Sequence, residues 1–96
     1  MKLKFSNQMI EWRGPAPFYY VPIPAAESEM IRETARQTSY GWGVIPVSVL
    51  IGKTSFTTSL FPRNGVYLVP VKTAVRQPEK LSLGDTVSVE LEIAFY

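Results

Sequence analysis

The sequence predicts a mainly β fold: a small closed or split β-barrel of about six strands with two short helices, in one domain over residues 1–96. Three observations predict it. Val87, Val89, Leu91, Ile93 and Phe95 alternate with Ser88, Glu90, Glu92 and Ala94, the period of two that a strand with one dry face requires. Turn pairs, Gly52-Lys53, Asn64-Gly65 and Gly84-Asp85, punctuate the other apolar runs. The order strand, strand, helix, strand occurs twice, so an internal pseudo-two-fold is expected.

At the start of the chain Leu3, Phe5 and Met9 share one parity, and Ile10 and Trp12 take the other. A bulge near Met9 would account for the switch, because one extra residue reverses the facing. Trp12 is then expected to seal the barrel. Arg13 to Pro17 form a stiff connection with two prolines. Phe18 to Val21 read as a short strand. Pro24 suits the first turn of a helix near residues 25–38, with Glu27 and Glu29 early and Arg32 and Arg36 late, in the order that complements the helix dipole. Met30, Ile31, Thr34 and Ala35 supply its apolar face, and Gly41 a stop. Val44 to Ile51 and Thr54 to Phe61 read as strands around the Gly52-Lys53 turn. Val66 to Val69 follow the Asn64-Gly65 hairpin signal. A second helix is expected over 71–77, ended by Pro78.

Phe18-Tyr19-Tyr20-Val21-Pro22 and Val66-Tyr67-Leu68-Val69-Pro70 hold equivalent places in the two halves. Each ends a strand on Val-Pro and leads into a helix.

Composition narrows the chemistry. The chain has no histidine and no cysteine. That removes the usual neutral-pH base, the thiolate nucleophile and the ligands most zinc sites use. No cofactor and no metal are expected. The eight acidic residues fall on turns, on a helix or on an exposed strand face, and no pair has an apolar surround that would tune it for acid–base work. No nucleophile elbow, phosphate loop or dinucleotide fingerprint occurs, so an enzyme is not expected. The net charge is +2 with a sequence pI near 9.0, and the basic residues are dispersed, which argues against a nucleic-acid partner. The first residues lack the apolar core of a secretion signal, and the longest apolar stretch, Trp42 to Ile51, is interrupted and far short of a membrane span. A cytoplasmic protein with no membrane partner is expected.

Several motifs carry a resemblance: Trp12-Arg13-Gly14-Pro15-Ala16-Pro17, Gly41-Trp42-Gly43-x-x-Pro46-Val47, Thr58-Ser59-Leu60-Phe61-Pro62, Tyr67-Leu68-x-Pro70-Val71-Lys72-x-x-Val75-Arg76 and Gly84-Asp85-x-Val87. Together they resemble a small bacterial family known as a domain of unknown function. The resemblance covers nearly the whole chain. It implies a double-split β-barrel, related in architecture to the barrels of AbrB- and MazE-type regulators. Some members of that family precede a bacteriocin-resistance, OmpD-associated type of domain, which a chain of this length does not include. The family brings no activity with it.

The candidate binding residues are Lys72, Arg76, Ser59, Arg13 and Trp42. Lys72 and Arg76 are four apart and so share a helix face, with Lys72 expected in the first turn. A cation there is unfavourable unless an anion compensates. Ser55, Thr57 and Ser59 make a hydroxyl stripe on one strand face, and Ser59 lies nearest the Phe61-Pro62 end. Arg13 projects from a rigid loop. Trp42 lies between two glycines, as a residue at a pocket rim does. The reading is a non-enzymatic binding module for an anionic small molecule or the acidic group of a partner. The alternative is a nucleic-acid-binding or oligomerising regulatory domain, by analogy of architecture alone.

Overall fold

The computed structural model describes residues 1–12, 18–36 and 45–93. Its elements in chain order are β1 (Lys2–Gln8), β2 (Ile10–Trp12), β3 (Phe18–Pro22), α1 (Ala25–Arg36), β4 (Ile45–Ile51), β5 (Thr54–Arg63), β6 (Val66–Pro70), α2 (Thr73–Glu79) and β7 (Thr86–Glu92). All strand pairs are antiparallel, in the order β1-β7-β4-β5-β6-β3-β2. Only Met9 separates the two end strands, β1 and β2, so the sheet curls and its ends meet through one bent run.

The core follows from strand alternation. Val47, Val49 and Ile51 of β4 and Val87, Val89 and Leu91 of β7 are buried, while Ser48, Ser88 and Glu90 between them are exposed. Val21, Leu60 and Val69 complete the inner face. Val75 of α2 and Ile31 and Ala35 of α1 plug the cup. Burying side chains of this size contributes about 1.5–3 kcal/mol each, which suits a chain with no disulfide to hold it.

The pseudo-two-fold is visible in the registers. Across β3 and β6, Tyr20 pairs with Pro70 and Pro22 with Leu68, around a central pair of Val21 and Val69. The flanking hydrogen bonds match: the Ile23 N–H donates to the Tyr67 carbonyl at 2.8 Å, and the Val71 N–H to the Tyr19 carbonyl at 2.9 Å. Across β4 and β7, Val49 pairs with Leu91 and Ile51 with Val89, around a central pair of Leu50 and Glu90. The run β1–β2 corresponds to the single strand β5, β3 to β6, α1 to α2 and β4 to β7. Counted this way the barrel has six strand positions; the sheet has seven strands because one position is split at Met9.

The change of facing expected near Met9 is absent, because the extra residue lies on the opposite strand, where Gly84 (φ 87°) and Asp85 together oppose Met9. Residues 3, 5, 7, 9 and 11 are buried or half-buried, and the even residues from 2 to 12 are exposed, so alternation runs unbroken through Met9. Met9 is buried, donating its N–H to the Asp85 carbonyl and accepting from the Gly84 N–H. Ile10 and Trp12 therefore face outward, and Trp12 does not seal the barrel. The Arg63 guanidinium covers its ring at 3.6 Å from the centroid.

The helices also differ in detail from expectation. The buried residues of α1 are Ser28, Ile31 and Ala35, and Met30 is exposed. Helix α2 begins at Thr73, with Lys72 as its N-cap, and Pro78 lies inside its last turn. What ends α2 is Lys80, in the left-handed conformation at φ 53° and ψ 45°. The Lys80 and Leu81 N–H groups then close on the carbonyls of Gln77 and Arg76. Each helix is pinned to a hairpin turn. Arg32 of α1 donates to the Gly65 carbonyl, and the Glu79 carboxylate of α2 accepts from the Lys53 N–H and the Thr54 hydroxyl. Gly41 and Phe95 lie outside the described residues.

Candidate functional site

Proline creates the site. On β6 the odd residues bond to β3, as the Val71 and Ile23 bonds establish, so the even residues face β5. Arg63 pairs with Val66 and Phe61 with Leu68. The next even residue, Pro70, has no N–H to give Ser59, and the ladder stops there. From that point β5 follows β4, and β6 turns into α2. The two part around a cleft of about 1050 Å³.

Lys72, Arg76 and Ser59 all line this cleft, so the fold brings together three of the five candidate residues. Arg13 and Trp42 lie outside the described residues. Lys72 is exposed, and its side chain makes no capping bond. Because it is the N-cap of a seven-residue helix, the first-turn dipole argument no longer applies to it. Arg76 is held from below. It donates through Nη1 to the Val71 carbonyl at 2.7 Å and through Nη2 to the Thr73 hydroxyl at 2.9 Å, and its guanidinium lies 3.9 Å from the centroid of the Tyr19 ring. A guanidinium carries five N–H donors, so donors remain for a ligand.

The rest of the lining is aromatic and hydroxylic. Tyr20 meets Phe61 edge-on, with centroids 5.0 Å apart, and Phe18 lies 6.3 Å from Tyr20. Burial pushes the Tyr20 phenol above its usual pKa, and Arg63 partly offsets this. Ser48, Thr57 and Thr73 add hydroxyls. Glu92 supplies a carboxylate on the far side, in one cross-strand row with Ser48 and Thr57. A second depression, of about 710 Å³ and lined also by Lys4 and Glu90, adjoins the first and shares Ser48, Thr57 and Glu92 with it.

The sequence reading missed Glu92 and the aromatic wall. Glu92 reads as one of two solvated carboxylates on an outward strand face; only the register of β7 against β4 carries it to the cleft. Phe18, Tyr20 and Phe61 read only as strand residues, because strand parity alone does not say which face of a curled sheet is covered.

The pseudo-equivalent split lies between β1 and β3, and there the gap is filled. Asn7 donates through Nδ2 to the Pro22 carbonyl at 3.0 Å. Ser28, fully buried, donates to the Ile23 carbonyl at 2.9 Å and accepts from the Tyr67 N–H at 3.1 Å. Ile23 and Val71 are equivalent, so Ser28 and Arg76 satisfy the same carbonyl in the two halves. Threonine 58 stands where Asn7 does, and Lys72 where Pro24 does. Tyr67 is buried, whereas its equivalent Tyr19 is half-exposed under Arg76. One half has small residues that close its split, and the other has long cations at the rim.

Among the described residues, no group of three or more acidic side chains is placed to hold a metal ion, and no helix is long and apolar enough to cross a membrane. Residues 5–91 match the family described as "Domain of unknown function (DUF1905)", and the chain belongs to it. No curated protein matches the chain.

Proposed function

We propose that this DUF1905 domain is a non-enzymatic binding module, and that the cleft beside β5 takes an anionic group borne by a small molecule or by a partner chain. The observation that carries the reading is the difference between the two splits. A residue needed only to satisfy the carbonyl before the helix can be a buried serine, as Ser28 is. Arg76 does the same task and also brings a guanidinium to the cleft, stacked on Tyr19. Stacking and the two anchoring bonds pre-orient it, so little side-chain entropy is lost on binding. Lys72 adds a mobile charge beside it. The aromatic wall of Phe18, Tyr20 and Phe61 gives an apolar body somewhere to lie.

Duplex nucleic acid fits the surface poorly. Glu90 and Glu92 pair with Lys4 and Lys2 on the outer face of β1 and β7, at 3.6 and 4.0 Å, so among the described residues this face carries no continuous basic stripe for a phosphate backbone. The resemblance to AbrB- and MazE-type barrels expected from the sequence is one of architecture alone and does not favour one ligand.

Calorimetric titration with 3-phenylpropionate, which joins a carboxylate to an aromatic ring, tests the reading. Wild-type protein is expected to bind it, and Lys72→Glu to weaken binding at least tenfold. Equal binding by both proteins, or by neither, contradicts the reading.

A further inference from the structure

The cleft has a charge at each end. Lys72 and Arg76 stand where β5 leaves β6, and Glu92 stands on β7, two strands away from Thr57 along one cross-strand row. Neighbouring strands are about 4.8 Å apart, so the row from Thr57 to Glu92 spans about 10 Å. Among the described residues Glu92 forms an ion pair only with Lys2, at 4.0 Å, with the two side chains 60% and 81% exposed. An exposed pair at that distance is worth little and is easily exchanged. The depression beyond Glu92 continues the cleft across the outer faces of β4 and β7.

A single anion uses one end of this groove only, and a polyanion gains nothing at the other, where Lys2 and Lys4 do no more than balance Glu92 and Glu90. Resting on the reading above, we propose that the occupant is an extended peptide end. Its C-terminal carboxylate sits on Lys72 and Arg76, its last side chain lies against Phe18, Tyr20 and Phe61, and a basic residue upstream pairs with Glu92. An extended chain advances about 3.3 Å per residue, so the row from Thr57 to Glu92 alone takes up about three residues, and the basic residue stands at least three positions before the C-terminus. Charge complementarity at two fixed points selects the spacing as well as the sign. Between the two points the hydroxyls of Ser48 and Thr57 offer hydrogen bonds to the peptide main chain, which are insensitive to sequence.

The test uses calorimetry on the full chain with acetyl-Lys-Ala-Ala-Phe, its C-terminal amide, and acetyl-Glu-Ala-Ala-Phe. Wild type is expected to prefer the lysine peptide over the glutamate peptide by about fivefold, the ratio that one exposed ion pair supports. Glu92→Lys is expected to reverse that preference, and amidation to weaken binding about tenfold. Glu92 is an exposed residue, so its replacement leaves the fold intact, and a thermal melt checks this. If the free acids bind through Lys72 but Glu92→Lys leaves the preference unchanged, the peptide proposal is wrong and the anion-binding reading survives. If neither the peptides nor 3-phenylpropionate bind, both are wrong.

Discussion

Val21 and Val69 face each other across the β3–β6 ladder, and the pseudo-two-fold of the barrel passes between them. Each is followed by a proline and each proline ends a ladder, Pro22 beside β1 and Pro70 beside β5. The fold thus makes two splits by one device. Asn7 and Ser28 fill the first, and the second stays open under Lys72 and Arg76. That difference, more than the presence of a basic pair, supports the proposal that the second split is a binding site.

If Pro70 causes the split, restoring its N–H should narrow it. Pro70→Val is expected to extend the β5–β6 ladder by one bond, to slow hydrogen exchange at residue 70, and to weaken carboxylate binding. Fast exchange at residue 70 in the variant would show that something other than the missing donor ends the ladder.

The two cations are expected to differ in what they do for stability. Arg76→Ala removes bonds to Val71 and Thr73 and the stack on Tyr19, a loss of about 1–2 kcal/mol. Lys72→Ala removes an exposed side chain without a capping bond and should change stability by less than about 0.5 kcal/mol. Urea denaturation of both variants checks the order; a large loss for Lys72→Ala would make it a structural residue.

Much of the fold was legible from the sequence because strand period and turn chemistry are local. The alternation from Val87 to Ile93, the Asn64-Gly65 hairpin and the Val-Pro repeat each announce an element, and each is present. Legibility failed where an apolar residue faces out. Ile10 and Trp12 suggest a change of parity only where hydrophobicity implies burial; Trp12 is 44% exposed and is covered by Arg63 from the next strand but two. The basic pair was legible as a pair, but its surroundings were not. Glu92 is distant in sequence from Thr57, and nothing short of the register relates them.

Gly52 and Gly65 both adopt positive φ, at 58° and 83°, so a side chain at either one is strained. Only Gly52 is also crowded: a Cβ there would lie 1.8 Å from the Glu79 Oε1, whereas nothing lies within 4 Å at Gly65. Gly52→Ala must displace the carboxylate that pins α2 to the Gly52-Lys53 turn. It is expected to destabilise the protein by about 1 kcal/mol more than Gly65→Ala does. Equal losses in thermal melts would mean that Glu79 does not anchor the helix.

Alkaline pH provides a further check. Burial raises the Tyr20 pKa in the folded state above its ordinary value of 10.0. The unfolded chain then loses this proton first, so the native state binds more protons and stability falls as pH rises above about 10. Tyr20→Phe is expected to flatten that decline relative to wild type, as read from urea midpoints between about pH 9 and 11. An unchanged slope would mean that the phenol is no more buried in the native state than in the unfolded one.

The central claim is that of two equivalent splits only the one beside β5 binds. Amide chemical-shift mapping during titration with 3-phenylpropionate distinguishes them directly. The account predicts saturable shifts at Thr57, Ser59, Lys72 and Thr73, with Ser6, Gln8 and Ala25, their counterparts in the closed half, left unmoved. Shifts of equal size in both sets, or in the second set alone, would contradict it.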